Sequence, residues 1–188
     1  MTKQAGSSAR WTSNINHVNA SLAMQAWLTD QMSLTVKLMQ RCERFRVQRL
    51  MQGNARVLRD EVQAIDLPRR VAVQQREVLL RCDEQPVVYA HTVVPLTATA
   101  SDWPFFGRLG ERSLGTTLFG DPRVQRGVLE YARLRVCHPL MRRAAQALDV
   151  DIAMPLFARR CLYRRRQGLL LVTEIFLPAL DRIGPARE

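Results

Sequence analysis

Two charged side chains fall where strand alternation calls for apolar ones. The segment "LLLVTEIFLPAL", residues 169 to 180, has the length, branched side chains and terminating Pro178 of a strand buried on both faces, yet it carries Glu174. Period-2 alternation sets Glu174 on one face with Leu170, Val172 and Phe176, and Leu171, Thr173, Ile175 and Leu177 on the other. In "VAVQQREVLLRC", residues 71 to 82, the same rule sets Arg76 with Val78, Leu80 and Cys82, while Gln75, Glu77 and Arg81 share a polar face. Glu77 therefore points away from Arg76 and cannot neutralise it. A buried ion must be paired or hydrogen-bonded, or, for a carboxyl, protonated. Such a carboxyl can hold or deliver a proton, and such a guanidinium can grip an anion through two parallel hydrogen bonds. Alternatively, the two residues pair with each other as a structural ion pair.

The elements that must position these groups are strands in hairpins. "VAVQQREVLLRC", a "DEQP" turn and "VVYAHTVVPL" make one hairpin over residues 71 to 96. "RRCLYRRRQGLLLVTEIFLPAL" makes a second, turning near Arg166, Gln167 and Gly168. "RFRVQRLMQ" alternates Phe45, Val47 and Met51 against polar residues, and Gly53-Asn54 supplies a turn or bulge before "ARVLRD". Helical spacing is read in residues 19 to 31, with Leu22, Ala26 and Trp27 inward, and in a short helix capped by the Ser33 hydroxyl. It is read again from Asp121 and Pro122 to about Arg135, through Val124, Val128 and Tyr131, and over residues 137 to 148. Residues 101 to 119, "SDWPFFGRLGERSLGTTLF", are rich in glycine and aromatics and suit a loop folded over something. Antiparallel hairpins with interspersed helices give an α+β fold.

Residues 1 to 15 read as a mobile tail and 16 to 188 as one domain, whose 47% hydrophobic content suffices for a core. Four widely spaced cysteines without a CxxC, and a polar N-terminus without an apolar export segment, lead us to expect reduced thiols in the cytoplasm. No apolar run approaches the roughly 18 residues of a membrane span. The formal charge of +11 is almost all arginine, scattered along the chain to Arg187 with clusters at Arg159-Arg160 and Arg164-Arg165-Arg166. That distribution reads as a solvated basic surface rather than a nucleic-acid stripe, and it is compatible with a small anionic substrate. His91, sharing a face with Tyr89 and Val93, reads as a structural histidine, and adjacent Cys137 and His138 cannot easily aim at one substrate.

Three stretches in order, "REVLLRCDEQPVVYAHTVVPL", "LGERSLGTTLF" and "LLLVTEIFLPA", resemble the sequential motifs of the chorismate lyase (chorismate pyruvate-lyase) family of ubiquinone biosynthesis. The chain departs from that family in a longer stretch from about residue 134 to 158, in its polar N-terminal tail, and in Leu34 where a methionine is usual. The resemblance implies a single antiparallel β-sheet with flanking helices enclosing a small buried pocket, in which chorismate becomes 4-hydroxybenzoate and pyruvate. It implies Leu34, Arg76, Leu114 and Glu174 as binding positions, with Arg76 and Glu174 also catalytic. Arg76 would hold the aromatic carboxylate, backbone N–H groups at Leu34 and Leu114 would donate to the same anion, and Glu174 would meet the opposite end of the ring. Whether Glu174 protonates the departing ether oxygen or only positions the substrate stays open. No metal and no organic cofactor is implied, and a cytoplasmic monomer without nucleic-acid partners or stable membrane insertion is expected. A non-catalytic effector-binding domain of related fold is the alternative.

Overall fold

The computed structural model describes residues 8–186. Its strands are β1 (Phe45–Arg56), β2 (Ala72–Cys82), β3 (Gln85–Pro95), β4 (Val124–Leu134), β5 (Leu156–Arg165) and β6 (Gly168–Phe176). Its α-helices are α1 (Leu22–Leu28), α2 (Leu34–Met39), α3 (Arg59–Val62), α4 (Leu96–Thr99), α5 (Leu114–Gly120) and α6 (Pro139–Leu148). All six strands join one sheet in the order β1-β2-β3-β6-β5-β4, and every neighbouring pair is antiparallel. The expected α+β architecture with a single antiparallel sheet is the observed one.

Both expected hairpins form. The first turns at Asp83 and Glu84, both at left-handed φ (48° and 64°), and the Asp83 carboxylate accepts from the backbone N–H groups of Glu43 and Arg44. The second turns at Arg166 and Gln167, with Arg166 also left-handed (φ 55°). Gly168 closes it because a Cβ there would lie 2.4 Å from the Cβ of Asp102.

The largest correction concerns residues 121 to 135, where helical spacing leads us to expect a helix and β4 stands instead. Val124, Val128 and Tyr131 suit either period, and pairing with β5 from Val124↔Arg165 to Leu134↔Leu156 decides for the strand. Asp121 and Pro122 form a turn before it, with the Val124 N–H on the Asp121 carbonyl, and a bulge between Arg126 and Leu129 leaves Val128 exposed on this edge strand. A second correction is in β1, which runs through Gly53-Asn54 without turning because β2 pairs along its whole length. Its bulge lies at Leu50 and switches the alternation, so Met51 leaves the face of Val47 and is 40% exposed. In α1, Leu22 and Ala26 point outward, and the inward stripe is Met24, Trp27 and Leu28, the i, i+3, i+4 set that a seven-residue helix can bury. The expected loop at 101 to 119 contains α5.

One sheet face is covered by α1, α2 and α5, the other by α3 and α6, whose Leu140, Met141 and Ala144 pack with Leu79, Tyr89, Ala158 and Ile175. Glu77, expected on a polar face, is therefore buried beneath α6, between His91 Nδ1 (3.3 Å) and Arg143 Nη1 (2.6 Å). His91 is held from the other side by Glu61 at 3.0 Å. Of the segment expected to be a tail, residues 1–7 lie outside the described residues. Beyond them, Thr12 exchanges backbone hydrogen bonds with Tyr131 (3.0 and 2.8 Å), and the Trp11 indole donates to Asp60 at 3.0 Å. No helix among the described residues is long and apolar enough to cross a membrane.

Candidate active site

The face that carries Arg76 also carries Val78 and Leu80 from β2, Ala90 and Thr92 from β3, and Val172 and Glu174 from β6. These residues floor a pocket that opens between the sheet and the helices above it. Its roof is α2 and α5, through Leu34, Thr35, Leu114, Gly115 and Leu118. A hydrogen bond of 2.6 Å between the Thr35 and Ser113 hydroxyls ties the two helix starts together. The helices approach closely at Gly115, where a Cβ would meet the Ser33 Oγ at 3.0 Å and the Thr35 Oγ1 at 3.3 Å, so that a larger residue would require those hydroxyls to shift. The structure thus brings all four expected residues, Leu34, Arg76, Leu114 and Glu174, to one cavity.

Arg76 is 2% exposed, and its Nη2 donates to the carbonyls of Gly110 (3.0 Å) and Arg112 (2.9 Å) in the loop before α5. Its Nε is buried without a hydrogen-bond partner, and no carboxylate forms an ion pair with it among the described residues. Burial, with the charge of Arg49 added, lowers its pKa to about 10, so it remains a cation at neutral pH. The result is a fixed positive charge without a protein counter-ion, which suits an anionic ligand.

Leu34 and Leu114 are the first residues of α2 and α5, where backbone N–H groups have no intrahelical acceptor. Neither Ser33 nor Ser113 makes a side-chain cap. The expected capping by Ser33 is corrected accordingly: α5 packs against this end of α2, and the Ser33 hydroxyl is buried at that contact without a hydrogen-bond partner.

Glu174 does not pair with Arg76. The two lie on strands separated by β3 and are offset by two residues, since Arg76 faces Thr92, which faces Val172. With about 4.8 Å between strands and 3.4 Å per residue, their Cα atoms are roughly 12 Å apart. The partner of Glu174 is Arg159, directly opposite on β5, whose Nε donates to Oε2 at 2.5 Å. Arg159 Nη1 donates to the carbonyls of Trp27 (3.1 Å), Leu28 (3.5 Å) and Asp30 (2.9 Å), and its guanidinium lies 5.8 Å from the Phe176 ring centre.

Two arginines and a tyrosine of the lining were missed in the sequence: Arg126, Arg159 and Tyr163. Arg159 was legible, because alternation along β5 puts it with Cys161 and Tyr163 as surely as it puts Arg76 with Val78. Arg126 was hidden by the helical reading of its segment. The basic clusters are also less exposed than expected: Arg159, Arg160 and Arg165 are 2%, 8% and 6% exposed. Arg160 pairs with Glu130 at 2.8 Å, and Arg165 pairs with Asp121 at 2.8 Å and donates to the Asp102 carbonyl at 2.7 Å. Each has partners that composition could not reveal.

A family model described as chorismate lyase matches residues 5–183. A probable chorismate pyruvate-lyase from Ralstonia nicotianae is 48% identical over 162 residues, 85% of this chain and 83% of the relative. Another from Cupriavidus metallidurans is 44% identical over 182 residues, covering 94% of this chain and 84% of the relative. Among solved structures, the fold is similar to that of a GntR-family transcriptional regulator from Bacillus cereus, with a TM-score of 0.54, 10% identity, and coverage of 77% of this chain and 99% of that one. It is also similar to the C-terminal domain of a histidine utilization repressor from Pseudomonas syringae, with a TM-score of 0.50, 13% identity and the same coverage. At those identities the likeness is one of fold.

Proposed function

This chain belongs to the chorismate lyase family, and from that premise we propose that it eliminates pyruvate from chorismate to leave 4-hydroxybenzoate in the pocket between Arg76 and Glu174. The observation that carries the reading is the buried Arg76 guanidinium, which has no carboxylate partner among the described residues and lines the same cavity as Glu174. A ring carboxylate accepts from Arg76 and from the first-turn N–H groups of Leu34 and Leu114. Glu174 meets the far end of the ring, where its carboxylate accepts from the ring hydroxyl.

In the reaction, the bond from the ring to the enolpyruvyl oxygen breaks, and the neighbouring ring carbon, which bears the hydroxyl, loses its hydrogen. The ring becomes aromatic. That hydrogen passes to the enolpyruvyl methylene, whose carbon becomes the methyl group of pyruvate as the oxygen becomes its ketone. Every atom and electron comes from the substrate, so neither a metal nor an organic cofactor enters the proposal. The protein contributes a closed pocket, a fixed conformer and stabilisation of charge. Because Arg159 holds Glu174 in place, positioning is the role we assign to this carboxylate. Supply of the aromatic ring for ubiquinone biosynthesis, by a monomer in the cytoplasm, belongs to the same reading.

Incubating the purified chain with chorismate tests it. Equimolar 4-hydroxybenzoate and pyruvate are expected. Chorismate bound but unchanged would make the pocket an effector site, and chorismate neither bound nor consumed would overturn the reading.

A further inference from the structure

The pocket contains more positive charge than its expected binding residues use. Its lining has three guanidinium groups, those of Arg76, Arg126 and Arg159, against one carboxylate, that of Glu174. Arg159 is engaged by Glu174 and by three carbonyls. Neither Arg76 nor Arg126 forms an ion pair among the described residues, and in each the Nε is buried without a hydrogen-bond partner. Two cations without an ion-pair partner among the described residues therefore face one cavity, and chorismate is a dianion.

We propose that Arg126 holds the enolpyruvyl carboxylate while Arg76 holds the ring carboxylate, so that the pocket selects its substrate by two guanidinium groups at separate places. The inference rests on the reading of the pocket as a chorismate site. In the sheet order, Arg76 on β2 and Arg126 on β4 stand on opposite sides of β6, the strand of Glu174. A substrate whose reacting carbon meets Glu174 can then extend one carboxylate towards each side.

Arg126 is built for the task. Its Nη1 donates to the Gln31 carbonyl and to Gln31 Oε1 (3.2 Å), and its guanidinium lies 5.4 Å from the Phe119 ring centre under α5. Those contacts fix the plane of the fork and leave Nε available. Tyr163, directly opposite on β5, and Cys161 are near neighbours whose pKa values burial raises, so neither offers a negative charge at neutral pH, and Glu174, whose charge also reaches Arg126, is already paired with Arg159. After elimination the ring product retains only the Arg76 contact, and pyruvate takes the other with it.

Arg126→Gln tests the assignment by separating substrate from product. The KM for chorismate should rise roughly tenfold or more, the size of one lost charge-assisted contact, while the Kd for 4-hydroxybenzoate stays within about twofold. Arg126→Lys keeps the charge without the fork and should recover part of the loss. It also serves if the glutamine variant does not fold. An unchanged KM, or equal losses for chorismate and 4-hydroxybenzoate, would overturn the proposal and leave Arg126 as a clamp on Gln31 and Phe119. Wild-type protein that yields no products would overturn the underlying reading with it. Normal turnover with an insensitive Arg126 would overturn this assignment alone.

Discussion

Arg159 stands directly opposite Glu174 on adjacent strands, and its Nε donates to the carboxylate at 2.5 Å. The same guanidinium donates to carbonyls of residues 27, 28 and 30, so one side chain links Glu174 to the end of α1 and to the segment that enters α2. The orientation of Glu174 and the placement of part of the pocket roof therefore have a common support.

Removing that support should affect stability and turnover together. Arg159→Gln leaves Glu174 without its opposite charge and frees three carbonyls, and breaking a buried pair from one side costs about 3–5 kcal/mol. Denaturant unfolding should show a loss of that order, and turnover of the folded fraction should fall. A variant as stable and active as wild type would show that the pair has no such function.

Arg76 and Glu174 should differ in what they change. Arg76→Lys retains charge but loses the planar fork and at least one of its carbonyl contacts, so 4-hydroxybenzoate affinity measured by calorimetry should fall roughly tenfold in a folded protein. Glu174→Gln should lower kcat more than product affinity, because the carboxylate acts on the reacting end of the ring. Wild-type turnover in both variants would return these residues to the core.

The arginine cluster at the β5–β6 turn should divide. Arg164 and Arg166 are exposed, and replacing them with glutamine should leave turnover within about a few-fold and stability nearly unchanged. Arg165 is buried against Asp121 and the Asp102 carbonyl, so Arg165→Gln should lower the melting temperature measurably. Equal tolerance at all three positions would contradict the buried assignment.

The far face of the sheet should make stability depend on pH. Burial alone would lower the His91 pKa, but Glu61 and Glu77 on its two sides outweigh that and raise it to about 9. A raised histidine contributes stability that is complete below its unfolded value of about 6.5 and is lost as pH rises through about 9. For Glu77, burial would raise the pKa, but His91 and Arg143 outweigh it and hold it at about 2. Its contribution is present above about 4.5 and is lost as pH falls towards 2. Urea unfolding from pH 5.5 to 9.5 should show falling stability, and His91→Gln should flatten that slope. A slope unaffected by the substitution would assign it to other groups.

Much of the fold was legible because the central strands obey one local rule. β2, β3 and β6 keep strict alternation wherever they face the pocket, so Arg76 and Glu174 could be placed on an apolar face from their neighbours alone, and the tight turn between β2 and β3 followed from residue type. What pairs with a buried charge is another matter, because no local rule states it. Arg159 finds its acceptors about 130 residues away in the chain, at Trp27, Leu28 and Asp30. The register of the β5–β6 hairpin sets Arg159 opposite Glu174, but only those distant carbonyls complete its partners, and only the folded chain leaves Arg76 without a carboxylate among the described residues. Arg126 depended on tertiary structure twice: β5 had to draw its segment into a strand, and α5 had to bring Phe119 over its guanidinium. The sequence by itself determined which side chains share a face, since successive Cβ atoms alternate whatever lies beyond them. Only the folded chain decided which charges are compensated, because solvation and pairing depend on groups brought together from distant segments.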